Sequence, residues 1–373
     1  MRDLALLPKA HLHLHFTGSM RTTTLVEMAT DRNLRLPTWL LEQSIDAWHR
    51  RLSSDTRGWF RFQRLYDAAR AVVRDEDAMR RIVREAAEDD AAEGSRWLEL
   101  QVDPTSYATH VGGLTSALEI ILDEAAVVSR RGPTGVAIIV AASRIRHPLE
   151  ARTLARLAAR YAGDGPGTVV GFGLSNDERR GWTNDFAPAF RIARQAGLAS
   201  VPHSGELLGA DHVEVTLDSL RPDRIGHGVR SGEDPAVLAR LVDAQIALEV
   251  CPSSNVALGV YPTPSTVPMR ALLESGARIA LGADDPLLFA NRLVDQYLIA
   301  REIHGFSDDE LAHLARSSVL ASRAPSAVHE QLLGEIDTWL AGPASNPDPD
   351  RRLAIPAPLC DAYQAPVRDR YLR

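Results

Sequence analysis

The sequence predicts an α/β protein, a closed (β/α)8 barrel of the TIM type, with a helical insertion after the first strand and extra helices at the C-terminal end. Three observations carry that expectation. About eight short, near-continuous apolar runs recur along the chain, as buried parallel strands do. Each is followed by a helix-forming stretch, a rhythm that a doubly wound open sheet, the alternative fold, would share. Polar, titratable residues stand where the runs end, which is where barrels of this kind carry chemistry. A chain of 373 residues could hold two domains, but such barrels often exceed about 250 residues as one unit.

The first strand lies in Pro8-Lys9-Ala10-His11-Leu12-His13-Leu14-His15-Phe16-Thr17-Gly18-Ser19. Strand side chains alternate, so His11, His13 and His15 are expected on one face and Leu12, Leu14 and Phe16 on the other. Two imidazoles at i and i+2 can bind one metal ion. Taken alone, the stretch also reads as a polar edge strand or a satisfied histidine cluster. Residues 20–75 are too long for a simple connection and predict the helical insertion, packed over one end of the fold where it could close as a lid. Trp39, Trp48, Trp59, Phe60, Phe62 and Tyr66 gather there. Gly58-Trp59-Phe60-Arg61-Phe62 reads as core packing in preference to an aromatic lid over a substrate.

A helical stretch at 76–94 then leads to a strand at 96–103. Helix 114–130 precedes the β-branched run 136–140, helix 148–161 precedes 168–174, and helix 185–195 precedes 198–203. Runs at 224–227, 246–250 and 278–282 follow, with helical segments between them. Helices at 307–319 and 326–340 pack outside the repeat, so residues 1–340 are expected to form one domain. Residues 341–373 combine proline and charge without periodicity and are expected to form a loose tail.

Composition narrows the function classes. Hydrophobic content of 45% and charged content of 24% are ordinary for a globular protein. A net charge of -7 argues against nucleic-acid or anionic-membrane partners, which want a basic face. Cys251 and Cys360 cannot build a disulfide framework. No apolar leader and no membrane-length apolar run is apparent. A cytoplasmic location is the expectation. Oligomeric state cannot be read.

At the strand ends stand His13 and His15, then 173–178, His203-Ser204-Gly205-Glu206, Gly226-His227-Gly228, Cys251-Pro252-Ser253-Ser254-Asn255 and Gly282-Ala283-Asp284-Asp285-Pro286. Each has a structural alternative. Glu206 could sit in the first turn of a helix, Asp285-Pro286 could be an N-cap followed by proline, and His227 could be a turn residue. Their convergence on one rim is the stronger signal. Three imidazoles (His13, His15, His203) and a carboxylate (Asp284), with no thiolate, suit zinc and leave room for a water. Ligand type alone leaves iron(II) and manganese open. Glu206, His227 and Asp285 are then free to handle protons.

In order, these pieces resemble the adenosine deaminase family of the amidohydrolase barrels. The matching pieces are Pro-Lys-Ala-His-Leu-His-Leu-His at 8–15, Gly18-Ser19, residues 171–178, His203–Glu206, Arg224–Gly228, Cys251–Asn255 and Asp284-Asp285-Pro286. The resemblance implies one zinc per chain on His13, His15, His203 and Asp284. It implies that Glu206 protonates purine N1 and that His227 takes a proton from the attacking water or holds it electrostatically. Asp285 would orient that water, and His15, Thr17, Asn176 and Asp285 would contact substrate. The implied reaction is hydrolytic deamination of adenosine or 2'-deoxyadenosine at C6, giving an inosine and ammonia. Two departures bear on the N9 substituent. Adenosine-specific members usually carry aspartate at Thr17 and glycine at Asn176, so adenine and a modified nucleoside such as aminodeoxyfutalosine are alternative substrates. A zinc hydrolase of another bond, or an inactive barrel used as a binder, fits less well. Lys9, the only lysine, lies before the histidines and offers no two-metal bridge, and the acid-base residues are all retained.

Overall fold

A computed structural model of the chain describes residues 1–41 and 52–343. Eight strands stand side by side in chain order: β1 (Lys9–His15), β2 (Ser95–Val102), β3 (Gly135–Ser143), β4 (Val169–Ser175), β5 (Ala199–Ser204), β6 (Arg224–His227), β7 (Ala247–Val250) and β8 (Ile279–Leu281). Every neighbouring pair is parallel. Parallel neighbours need crossovers, and helices supply them. The ring closes through Asp284, just past β8. Its N–H donates to the His13 carbonyl and its carbonyl accepts from the His15 N–H, both at 3.0 Å. The chain is therefore a (β/α)8 TIM barrel.

Among the described residues four helices separate β1 from β2: α1 (Thr22–Asp31), α2 (Thr38–Leu41), α3 (Thr56–Arg70) and α4 (Glu76–Ala92). Asp55 and Asp75 cap α3 and α4 by accepting from the N–H groups of Gly58 and Ala78. Residues 42–51, with Trp48, and the expected tail beyond 343 lie outside the described residues. Helices Leu114–Arg131, Pro148–Arg160, Ala187–Gln195, Ala210–Leu220 and Pro235–Asp243 follow β2 to β6 in turn. Past β8 come Leu293–Glu302, Asp308–Ala321 and Ser326–Ala341. Ser307 and Glu310 open the second of these with a reciprocal capping box. No helix among the described residues is long and apolar enough to cross a membrane.

Leu98, Leu100, Ile138, Val140 and Phe172 pack outward from the strands into the apolar layer under the helices. In the insertion, Phe62 is buried and stacks on Phe289 at 5.7 Å, beside Leu52 and Leu258. Phe60, in contrast, is exposed.

One expectation about β1 is overturned. The three histidines do not share a face. His11 pairs with Leu98 of β2 and Leu14 with Leu100, so β1 advances three residues where β2 advances two. That bulge inverts the alternation. His11 turns to α4, where its Nδ1 lies 3.0 Å from Asp90 Oδ1, and its Nε2 accepts from the Ala283 N–H at 3.1 Å. Leu12 parts from Leu14 and Phe16 and joins the other apolar cluster, with Trp97, Ile139 and Val201.

Candidate active site

Four side chains from three places in the chain meet at the C-terminal end of the barrel. His15 Nε2 lies 3.2 Å from His203 Nε2 and 3.2 Å from Asp284 Oδ1. His13 Nε2 lies 3.5 Å from the same Asp284 oxygen. Donor atoms of His13, His15 and His203 all fall within 4.8 Å of one another, as do those of His13, His227 and Asp284. β1 brings His13 and His15, the end of β5 brings His203, and the seam brings Asp284, whose left-handed backbone (φ 61°) turns it inward.

The donor set fits a cation. His13 Nδ1 is 2.8 Å from Glu249 Oε2, so it donates there and leaves the Nε2 lone pair facing the cluster. That Nε2 is buried without a hydrogen-bond partner. Burial opposes charge on His13, yet the neighbouring carboxylates of Asp284 and Glu249 outweigh it and raise its pKa to about 10. A position that so favours positive charge favours a metal ion in place of the proton. His203 is held well below the ordinary imidazole range, first by burial and then by His13, His15 and His227. It is neutral, as a ligand must be. Three nitrogens and one carboxylate oxygen suit zinc.

Beneath His13 runs a buried ionic chain. Glu249 of β7 accepts from Arg224 Nε of β6 at 2.7 Å, and Arg224 Nη2 donates to Glu99 of β2 at 2.5 Å. Trp97 Nε1 donates to the other Glu99 oxygen at 3.0 Å. A buried pair of charges needs every lone pair and proton used, and this chain uses them across four strands. Reading the sequence for strand ends missed Glu249, Arg224 and Glu99. Their signal was a charge inside an apolar run, as in Leu248-Glu249-Val250.

The remaining acid-base groups stand beside the cluster. Glu206 is not in a first helical turn, because the next helix begins at Ala210. Its Oε2 is 3.6 Å from His227 Nε2 and its Oε1 is buried without a partner. Burial pushes its pKa well above the carboxylate range, and the charges of Asp284 and Glu178 push it further. Burial also drops His227 to about 3, so it is neutral. His227 is a turn residue as well, with φ 63° ahead of Gly228. Asp285 precedes Pro286 at a helix start, but its side chain caps nothing. Its Oδ1 is buried and unpartnered, and burial with the Asp284 charge raises its pKa. Gly18 explains how it fits: a Cβ there would lie 1.8 Å from Asp285 Oδ1 and 2.7 Å from its Cα. Gly18→Ala should therefore displace Asp285 and lower kcat by about 100-fold, the cost of an ångström-scale misplacement. Steady-state kinetics beside a thermal melt would check this, and unchanged kcat would refute it.

Above the cluster opens a cavity of about 460 Å³. One wall is α3, whose residues 59, 62, 63, 66, 67 and 70 recur at helical spacing and all face it. Core packing thus describes only part of the insertion, since Trp59, Phe62 and Tyr66 also wall the cavity. Asn176 lies on the facing wall and donates to Gln63 Oε1 at 3.3 Å. Its left-handed backbone (φ 79°) suits asparagine better than most residues. Thr17 is buried behind the wall, its hydroxyl 2.5 Å from that of Tyr107, and Tyr107 is the residue that faces the cavity. The pocket's polar margin also includes Arg70, which donates to Ser106 Oγ at 2.8 Å, and Asp103.

Comparison with known proteins points the same way. A family model described as adenosine deaminase matches residues 8–339. A relative from Streptomyces virginiae named putative adenosine/adenine deaminase is 59% identical over 341 residues, covering 91% of this chain and 99% of the relative. A protein of Agrobacterium fabrum named adenine deaminase is 30% identical, with 88% and 98% covered. The crystal structure of an adenine deaminase from Arthrobacter aurescens superposes with a TM-score of 0.80 at 28% identity, covering 90% of this chain and 99% of that one.

Proposed function

The chain belongs to the adenosine deaminase family, and from that premise we propose that it hydrolyses adenosine and 2'-deoxyadenosine at C6, with one zinc ion per chain. Deamination of a 6-aminopurine by hydrolysis is the family's chemistry. The carrying observation is the meeting of His13, His15, His203 and Asp284 at the floor of a cavity into which Glu206 and Asp285 project unpartnered carboxyl oxygens. When bound, zinc would supply an acidified water there.

The residues do the rest. A purine amine is a poor leaving group, so the ring must first be made electrophilic. Glu206 is protonated because burial raises its pKa, and it donates to ring N1, which draws electrons from C6. Asn255 Nδ2 lies 3.4 Å from His227 Nδ1; donation there leaves the hydrogen on Nε2. Neutral His227 then holds the attacking oxygen as a donor. Asp285 accepts from the water and aims it at C6. Water adds to C6 and passes one proton by way of Asp285 to the amine, the C6–N bond breaks and ammonia leaves, and the second water proton returns to Glu206 as the C6 carbonyl forms.

The nucleoside reading rests on the space and polarity past the cluster. A cavity of about 460 Å³ exceeds a bare purine, and Gln63, Asp67, Arg70, Asp103 and Ser106 line it with groups able to pair with sugar hydroxyls. Free adenine is the second reading, favoured by the names of the Agrobacterium and Arthrobacter proteins and by a neutral, wall-bound Thr17. Ultraviolet assays on adenosine, 2'-deoxyadenosine, adenine and a bulkier 6-aminopurine nucleoside test both. We expect the highest kcat/KM for the nucleosides. A clear preference for adenine would replace the first reading with the second, and no turnover of any 6-aminopurine would remove both.

A further inference from the structure

The loop after β4 carries a buried carboxylate that the chemistry above leaves unused. Glu178 is 2% exposed. Its Oε2 accepts from the backbone N–H groups of Leu207 at 2.9 Å and Leu208 at 2.8 Å, and its two oxygens lie 3.2 and 3.3 Å from the N–H of Glu206. Three consecutive N–H groups thus point at one side chain. They belong to the turn between β5 and the helix Ala210–Leu220, so they have no helical partners of their own.

The same region is braced from the other side. Arg144, past β3 and 1% exposed, donates from Nη2 to the His203 carbonyl at 2.7 Å and from Nη1 to Thr183 Oγ1 at 2.9 Å. Burial raises the Glu178 pKa, and the Arg144 charge and the three N–H groups oppose that rise and favour the carboxylate. Arg144 therefore fixes the backbone at His203, and Glu178 fixes it three residues later at Glu206. Between them stands Gly205, whose left-handed backbone (φ 72°) makes the turn sharp.

We propose that Glu178 is the positioning residue of the proton donor: its carboxylate holds the 206–208 turn and so aims Glu206 into the cavity. The inference rests on Glu206 acting as the proton donor. A carboxylate suits the task because it accepts at every lone pair and carries the charge that three convergent N–H dipoles favour. An amide keeps one acceptor for Leu207 and Leu208 but loses the charge and turns an NH2 donor toward the Glu206 N–H, where Oε1 now accepts at 3.2 Å. The charge of Glu178 has a second effect. Glu206 faces His227 from β6, Asp284 and Asp285 past β8, His13 from β1, and Asp177 and Glu178 from this loop. The acidic neighbours favour its protonated form.

The test uses the zinc-loaded full chain with whichever of adenosine, 2'-deoxyadenosine and adenine turns over best. Glu178→Gln should lower kcat by about 10–100-fold, on the scale of lost outer partners at a site, with KM within about twofold and zinc content unchanged. Removing the charge should also move the alkaline limb of the kcat–pH profile to lower pH. Glu178→Asp keeps the charge but falls one methylene short of the three N–H groups, so kcat should fall while the limb stays put. Wild-type kcat in either variant would overturn the proposal. So would a kcat loss in Glu178→Gln with an unmoved limb, or one that tracks loss of zinc, because those outcomes mark a merely structural role. Should Glu178→Gln not fold, the aspartate variant decides alone by kcat and zinc content. Glu206→Gln run in parallel separates the two readings. If it is inactive while Glu178→Gln is normal, only this inference fails; if it is as active as wild type, the donor assignment fails first.

Discussion

Glu206→Gln is expected to retain about one zinc per chain and to lose about 100- to 10,000-fold in kcat, the range that a positioned acid contributes. The size follows from the leaving group. Without a proton at N1 the ring holds its electrons, and water addition to C6 has no sink for the charge. Glutamine matches the carboxyl in shape and keeps the backbone N–H that Glu178 accepts, so the turn should persist. Glu206 Oε2 lies 3.6 Å from Nε2 of His227, a residue outside the set His13, His15, His203 and Asp284. Metal analysis and single-turnover kinetics on one preparation would check both halves. Near-normal turnover would end the assignment, and loss of zinc would move Glu206 into the metal shell.

The second large effect is at the metal, and it separates two histidines four residues apart. His15→Ala removes a ring whose Nε2 lies 3.2 Å from both His203 and Asp284. Zinc affinity should fall by more than the roughly 10–100-fold that an outer partner costs, and activity should fall with it. His11→Ala should keep zinc. Its ring packs on Asp90 and the Ala283 N–H instead, both buried, so its loss strands polar groups and costs stability of about 1–3 kcal/mol. Zinc content by elemental analysis, set against melting temperature, distinguishes the two. Equal zinc loss in both variants would contradict the bulge in β1.

Much of this site is legible along the chain because its parts are local. The end of a strand, the imidazole pair at i and i+2, and Asp284-Asp285-Pro286 each occupy a few consecutive residues. Ligand type then argues for zinc without coordinates. The choice between side-chain roles at one position was less accessible. Asp285-Pro286 has the form of a helix cap, and only the structure leaves that carboxyl uncapped beside Gly18. The aromatic insertion likewise reads as core in sequence. Its helix α3 in fact buries Phe62 while turning Trp59, Gln63, Tyr66 and Arg70 onto the cavity, because one helix can serve two surfaces at once.

By itself the sequence favoured the barrel over a doubly wound open sheet, since eight apolar runs alternating with helices suit a closed ring of parallel strands, and the contacts of Asp284 with His13 and His15 close it. It also pointed to the ring of titratable groups at the strand ends and to the nitrogen-oxygen character of the group that could hold a metal ion. Tertiary structure alone decided that His11 leaves the face of His13 and His15, that Glu249, Arg224 and Glu99 stand behind His13, and that Glu178 grips the turn of Glu206. The physical reason is reach. Alternation and helical period act over a few residues, whereas a bulge depends on the register of the neighbouring strand. A buried charge finds its partner across the barrel, at separations along the chain that no local pattern encodes.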